Sequence, residues 1–212
     1  MLLPPLLARL HSPVPDEYKA AARALFALYS RPHPAAIAET VAQVRPDRRV
    51  LQALLHALHA ALGTNRSRLQ PVVHGILAAL RPDPLTVRLQ VRLAVAGLPW
   101  AELAPYLAKL AATDALDAES LMAAVQALEA SGPRTGPSSE AGSLPAFEAA
   151  VAASPDARLR RLGLAAVVAQ ATQPAGWTAA LRARLDQYRA DPAPLVAAAA
   201  QFTFPPYVGE EM

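Results

Sequence analysis

Three histidines come nearest to metal chemistry in type and spacing. His56 and His59 stand three residues apart, on one face of a helix, and His74 follows on the next helical segment. Imidazoles are frequent zinc ligands. No carboxylate is placed beside these three to complete a ligand set, and the chain has no cysteine. The expectation is therefore solvated or capping histidines, with no metal and no other cofactor. The lack of cysteine also fits a reducing, cytoplasmic setting.

Nucleophilic catalysis needs a base within hydrogen-bond reach of a hydroxyl or thiol. Ser120, Ser131, Ser138 and Ser139 fall at helix starts or in a Gly/Pro/Ser stretch, and no serine is framed by glycines. Most of the nine glycines are isolated, so no phosphate-cradling loop is expected. Adjacent carboxylates occur as Glu210 and Glu211 in the tail, where solvation accounts for them. An enzyme is not expected.

Arginine leaves more room for function. Of the 20 basic residues all but Lys19 and Lys109 are Arg, in a chain of net charge +3. A planar guanidinium suits carboxylate and phosphate recognition, although an Ala/Pro-rich composition also accompanies high Arg usage.

The elements that must position these residues are helices. Apolar residues make up 53% of the chain and aromatics only 5%, so the core has to be built from Ala, Leu and Val, which favours closely packed helices. Tyr18, Ala21, Ala22, Leu25, Phe26, Leu28 and Tyr29 recur at helical steps, as do Val50, Leu51, Leu54, Leu55, Leu58 and Leu62. Leu85, Val87, Leu89, Val91, Leu93 and Val95 alternate instead, which alone argues a strand. The repeats on either side place a helix there, and the helical reading is preferred. No apolar run approaches the ~18 residues of a membrane span, and the start, MLLPPLLARL, lacks the basic region of a signal peptide.

The helices pair, and the pairs repeat about every 33 residues, spanning roughly 2–30, 33–62, 66–98, 100–130, 144–172 and 176–204. Each pair has a proline early in its first helix or an aspartate at its turn: Pro5 and Asp16, Asp47, Pro71 and Asp83, Pro105 with Asp114 or Asp117, Pro145 and Asp156, then Asp191. Asp before a helix accepts hydrogen bonds from first-turn amides, and Pro beside it stops the preceding helix. Ser131–Ser143 reads as a flexible insertion, and 205–212 as a tail folding over the last repeat.

This grammar resembles the HEAT-repeat family. The closest match is L-x-P-x-x-x-x-I-L from Leu69 with D-P-L-T-V-R from Asp83 to Arg88; D-A-R-L-R-R from Asp156 to Arg161 follows. The resemblance implies one all-α domain, a right-handed α-solenoid of about six helical hairpins with second helices lining a concave face. It implies a non-enzymatic scaffold that binds a protein or peptide there, or else nucleic acid in a repair-related role. Arg48, Arg49, Arg88, Arg92, Arg158, Arg160 and Arg161 all fall in second helices. Arg88 and Arg161 match the Val-Arg position that in such units pairs with turn aspartates, leaving Arg49, Arg92 and Arg158 as expected ligand contacts. The apolar start, Leu2, Leu3, Leu6, Leu7 and Leu10, is expected either to pair with another subunit or a neighbouring domain, or to be covered by the short first helix itself. HEAT-like alkylpurine DNA glycosylases use tryptophans with an acidic residue, but neither Trp100 nor Trp177 sits in a Trp-x-x-x-Asp arrangement. Both are expected to staple helix junctions.

Overall fold

The structure is a computed structural model that describes residues 3–29, 47–84, 86–131 and 143–206. Regular structure among these residues is wholly α-helical, as the composition implies. The first helix expected for the second repeat, Pro34–Val44, lies outside the described residues, as do 132–142 of the expected insertion and 207–212 of the tail. No described helix is long and apolar enough to cross a membrane.

The described helices fall into two compact units that divide the chain at Leu98/Pro99. The first holds α1 (Leu3–Leu10), α2 (Pro15–Tyr29), α3 (Arg48–Ala79) and α4 (Val87–Gly97). Helix α1 packs on α2, α2 on α3, and α3 on α4. From α1, Leu10 is fully buried and Leu6 half-buried.

Helix α3 corrects the expected repeat boundary. Its backbone is helical from Arg48 through Ala79, so the second and third repeats are not separated by a loop at 63–65. A straight helix of this length would run about 46 Å. Yet Arg48 Nη2 lies 3.2 Å from Oδ2 of Asp83, four residues past the helix end. The two ends therefore return to each other, and α3 folds back on itself; Gly63 and Pro71 lie within it, residue types at which helices bend. The hairpin survives; its connecting loop does not.

The alternating stretch is helical over Val87–Gly97. Val87, Gln90, Val91, Leu93, Ala94, Val95 and Gly97 are all buried, while exposed Arg88 and Arg92 stand four residues apart on the remaining face, so the apolar side is wide. Gly97 is needed for this packing, because a Cβ there would stand 2.7 Å from Cγ2 of Val73.

The second unit holds α5 (Trp100–Ala112), α6 (Ala118–Glu129), α7 (Leu144–Ala152), α8 (Ala157–Ala171), α9 (Ala179–Arg189) and α10 (Pro194–Gln201). The α7/α8 hairpin is central. Helices α5 and α6 pack on one side of it, and α9 and α10 pack on α8. No residue of α8 is fully exposed, and its Gly163, Ala165, Ala166 and Ala169 are buried, which lets neighbouring backbones come close.

Helix starts follow the turn chemistry. Asp47 accepts from the amides of Arg49 and Val50, Asp117 from Ser120 and Asp156 from Arg158. Asp117 is thus the cap of the fourth hairpin, while Asp114 takes a left-handed conformation (φ 53°) in the preceding turn. Asp191 accepts from the amide of Ala193 at 2.8 Å.

Candidate ligand-binding surface

The turn aspartates and the arginines of α8 form two groups of ion pairs in the second unit, Asp114–Arg158–Asp156 and Arg160–Asp191. Arg158 grips Asp156 through Nε (3.1 and 3.2 Å) and Nη2 (2.7 Å). It also donates to Asp114 Oδ1 at 3.1 Å and to the carbonyls of Ala111 and Leu116 in the α5–α6 turn. Arg160 donates to Asp191 through Nε at 2.7 Å and Nη2 at 3.0 Å, and to the carbonyls of Ser154 and Pro155. Hydrogen bonds from Arg158 and Arg160 hold the carboxyls of Asp156 and Asp191 below the ordinary range. In the first unit, Arg48 and Asp83 make the equivalent link.

This geometry redistributes the expected roles. Arg158, expected to touch ligand, has its guanidinium engaged with three segments of the turn region. Arg161, expected to pair with a turn aspartate, does not. Its Nη1 is buried with no acceptor among the described residues, and burial lowers its pKa while Glu129 of α6 acts in the opposite sense. The cause is helical phase. Side chains lean toward the helix N-terminus, so residues two and four past the Asp156 cap reach back to the turn. Arg161, about 100° further round, faces α6 instead.

Arg49 and Arg92 remain on the surface of the first unit. Arg49 has a side chain 70% exposed, 3.6 Å from Asp47. Arg92 is exposed on α4, and its charge acts on His59 of α3. His56 is exposed and His59 half-buried. Burial first, then Arg92 and His56, push the His59 pKa down. His74 does not join these two in a metal-binding group; among the described residues no three His, Asp or Glu side chains are placed to hold an ion.

Trp100 is buried and packs against Phe147 of α7, ring centroids 5.5 Å apart. Trp177 precedes the Thr178 cap of α9 and packs on the cluster of Leu164, Val167, Leu185 and Val196. Both join hairpins within their unit. A second junction was not read from sequence: buried Glu148 of α7 accepts from the Tyr188 hydroxyl at 2.6 Å and from Arg184 at 2.5 Å. Its only trace in the sequence is a glutamate on the apolar face of α7 and a glycine at 163 that leaves space for the tyrosine.

At the C-terminal end, Arg189 and Arg182 donate to the carbonyls of Thr203 and Pro206. The backbone is thereby tied back, yet Phe202 and Phe204 are 80% and 77% exposed.

No family model matches the sequence, and no curated protein matches it. Among solved structures, the chain is similar to a designed armadillo repeat protein, YIII(Dq)4CqI, at 18% identity, covering 94% of this chain and 97% of that one with a TM-score of 0.39.

Proposed function

We propose that this chain is a non-enzymatic helical-repeat scaffold of the cytoplasm, binding a protein or peptide through the outward faces of its second helices. The observation that carries this reading is the distribution of exposed apolar side chains. In the second unit the large ones are Met122 on α6, Leu195 on α10, and Phe202 and Phe204 at and beyond its end; none lies on the first helices α5, α7 or α9 among the described residues. Exposed Met, Leu and Phe on helices that also form the core mark a surface suited to a partner.

Selection of a random peptide display library against the full chain tests this. Recovered peptides should lose at least about tenfold in affinity to Met122→Glu and Leu195→Glu, about 1.4 kcal/mol, and be indifferent to Lys109→Glu on α5. Peptides that bind all three variants equally would refute it.

A further inference from the structure

Helix α10 is apolar on two opposite sides. Its sequence, PLVAAAAQ, contains no charged residue. Val196 and Ala200 are fully buried in a cluster with Leu164 and Val167 of α8 and Leu185 and Tyr188 of α9. On the solvent side Leu195, Ala198 and Phe202 follow at steps of three and four, which aligns them in one stripe. All three are exposed, Leu195 at 46% and Phe202 at 80%. A helix that is apolar all round is ordinarily covered all round. The preceding second helix, α8, meets that condition: it packs with both α6 and α10, and none of its residues is fully exposed. Among the described residues α10 packs on α8 and α9, and its outer stripe is left in water.

We infer that the Leu195–Ala198–Phe202 stripe of α10 pairs with the same stripe of a second copy of this chain, the two helices running antiparallel about a two-fold axis. The inference goes beyond the scaffold reading, since it gives one part of the second-helix surface to the chain itself and leaves Met122 of α6 to peptides.

Self-complementarity is the first argument. Leu195 and Phe202 stand equally far from the midpoint between Ala198 and Ala199. Antiparallel pairing about that point sets Leu195 of each copy against Phe202 of the other, large side chain on large, at both ends. Alanines fall at the crossing, where they let the helices approach to the short end of the ~8–10 Å range. Such an isologous two-fold contact is the commonest way for identical chains to associate. The charges nearest to α10 in sequence do not oppose it, because Asp191 is held by Arg160, and Arg189 by Asp186 and the carbonyl of Thr203.

Area is the second. Phe204, two residues beyond Phe202, is 77% exposed, so the two rings offer about 300 Å² per copy. With Leu195, Ala198 and the flanking prolines, two copies would bury roughly 1,000 Å² in total, the lower limit for a specific contact. An extended peptide suits the stripe less well, since it draws affinity from main-chain hydrogen bonds at a sheet edge, whereas a helix face takes an apolar helix.

The test uses the full chain in sedimentation velocity across a concentration series. A monomer–dimer equilibrium with Kd on the order of 10 to 100 μM is expected for so small an interface. Leu195→Lys and Phe202→Glu should each weaken it at least about tenfold. The double variant should regain most of the loss, because the antiparallel register sets each new lysine against a new glutamate. The chain has no cysteine, so Ala198→Cys gives a second readout that perturbs the fold little. Mild oxidation should cross-link it far faster than Ala149→Cys on the exposed side of α7, since disulfides need Cα atoms within about 7 Å. Circular dichroism of each variant separates lost pairing from lost fold. A chain that stays monomeric throughout, a dimer untouched by both single variants, or cross-linking of Ala198→Cys no faster than of the control would overturn the inference. Display runs at protein concentrations far below this Kd, where the stripe is free, so the two readings fail separately. Monomers whose selected peptides still depend on Leu195 would refute the pairing and leave the scaffold reading standing. A dimer through α10 with no peptide recovered would do the reverse.

Discussion

Arg160 and Asp191 meet through two nearly parallel hydrogen bonds, Nε to Oδ2 at 2.7 Å and Nη2 to Oδ1 at 3.0 Å, although 31 residues separate them. Both side chains are largely withdrawn from water, at 15% and 8% exposure. Together they tie the start of α8 to the α9–α10 turn. Removing one partner strands the other charge in a poorly solvated place. Arg160→Ala should therefore cost about 3 kcal/mol of unfolding free energy. A double-mutant cycle with Asp191→Ala in urea should return a coupling above about 1 kcal/mol; additive losses would show that the pair does not hold the hairpins together.

Acid should undo the same contacts. Asp156 and Asp191 are held below their ordinary carboxyl range by Arg158 and Arg160. The unfolded chain thus binds protons before the folded one does, and the stability they contribute is present above the unfolded value of 3.8 and lost as pH falls through the lower folded values. Urea midpoints should drop steeply below about pH 4, and Asp191→Asn should flatten that drop. An unchanged acid limb in the variant would contradict the assignment.

Gly163 should tolerate no side chain. A Cβ there would collide with the Tyr188 hydroxyl, which donates to buried Glu148. Gly163→Ala should destabilise the protein by about 1–3 kcal/mol. Gly163→Ala with Tyr188→Phe should recover part of the loss, because the colliding oxygen is gone. A neutral single variant in chemical denaturation would show that α8 and α9 adjust freely.

His59 should titrate below the ordinary histidine value of 6.5, from burial first and then from Arg92 and His56. NMR of the imidazole Cε1–H should show this. Arg92→Gln should move the titration up without restoring the full value, since burial remains. Because the folded pKa is depressed, the contribution of His59 to stability is intact above pH 6.5 and lost as pH falls through the folded value. A His59 titrating at or above the ordinary value would remove the cationic neighbourhood from this part of α3.

The sequence by itself determined that the chain is helical, and much of where its helices start. An Ala/Leu-rich composition leaves packed helices as the way to form a core, and Asp47, Asp117 and Asp156 cap the helices that follow them because capping is a local interaction. The tryptophans could be placed at junctions for the same reason. Tertiary structure decided which arginine of 158, 160 and 161 meets which aspartate, since that depends on helical phase relative to neighbours far along the chain. It decided that Arg48 returns to Asp83, turning an unbroken helix into a fold-back where a loop was expected. It also decided that Glu148, Arg184 and Tyr188 converge, a contact between α7 and α9 that no local spacing encodes.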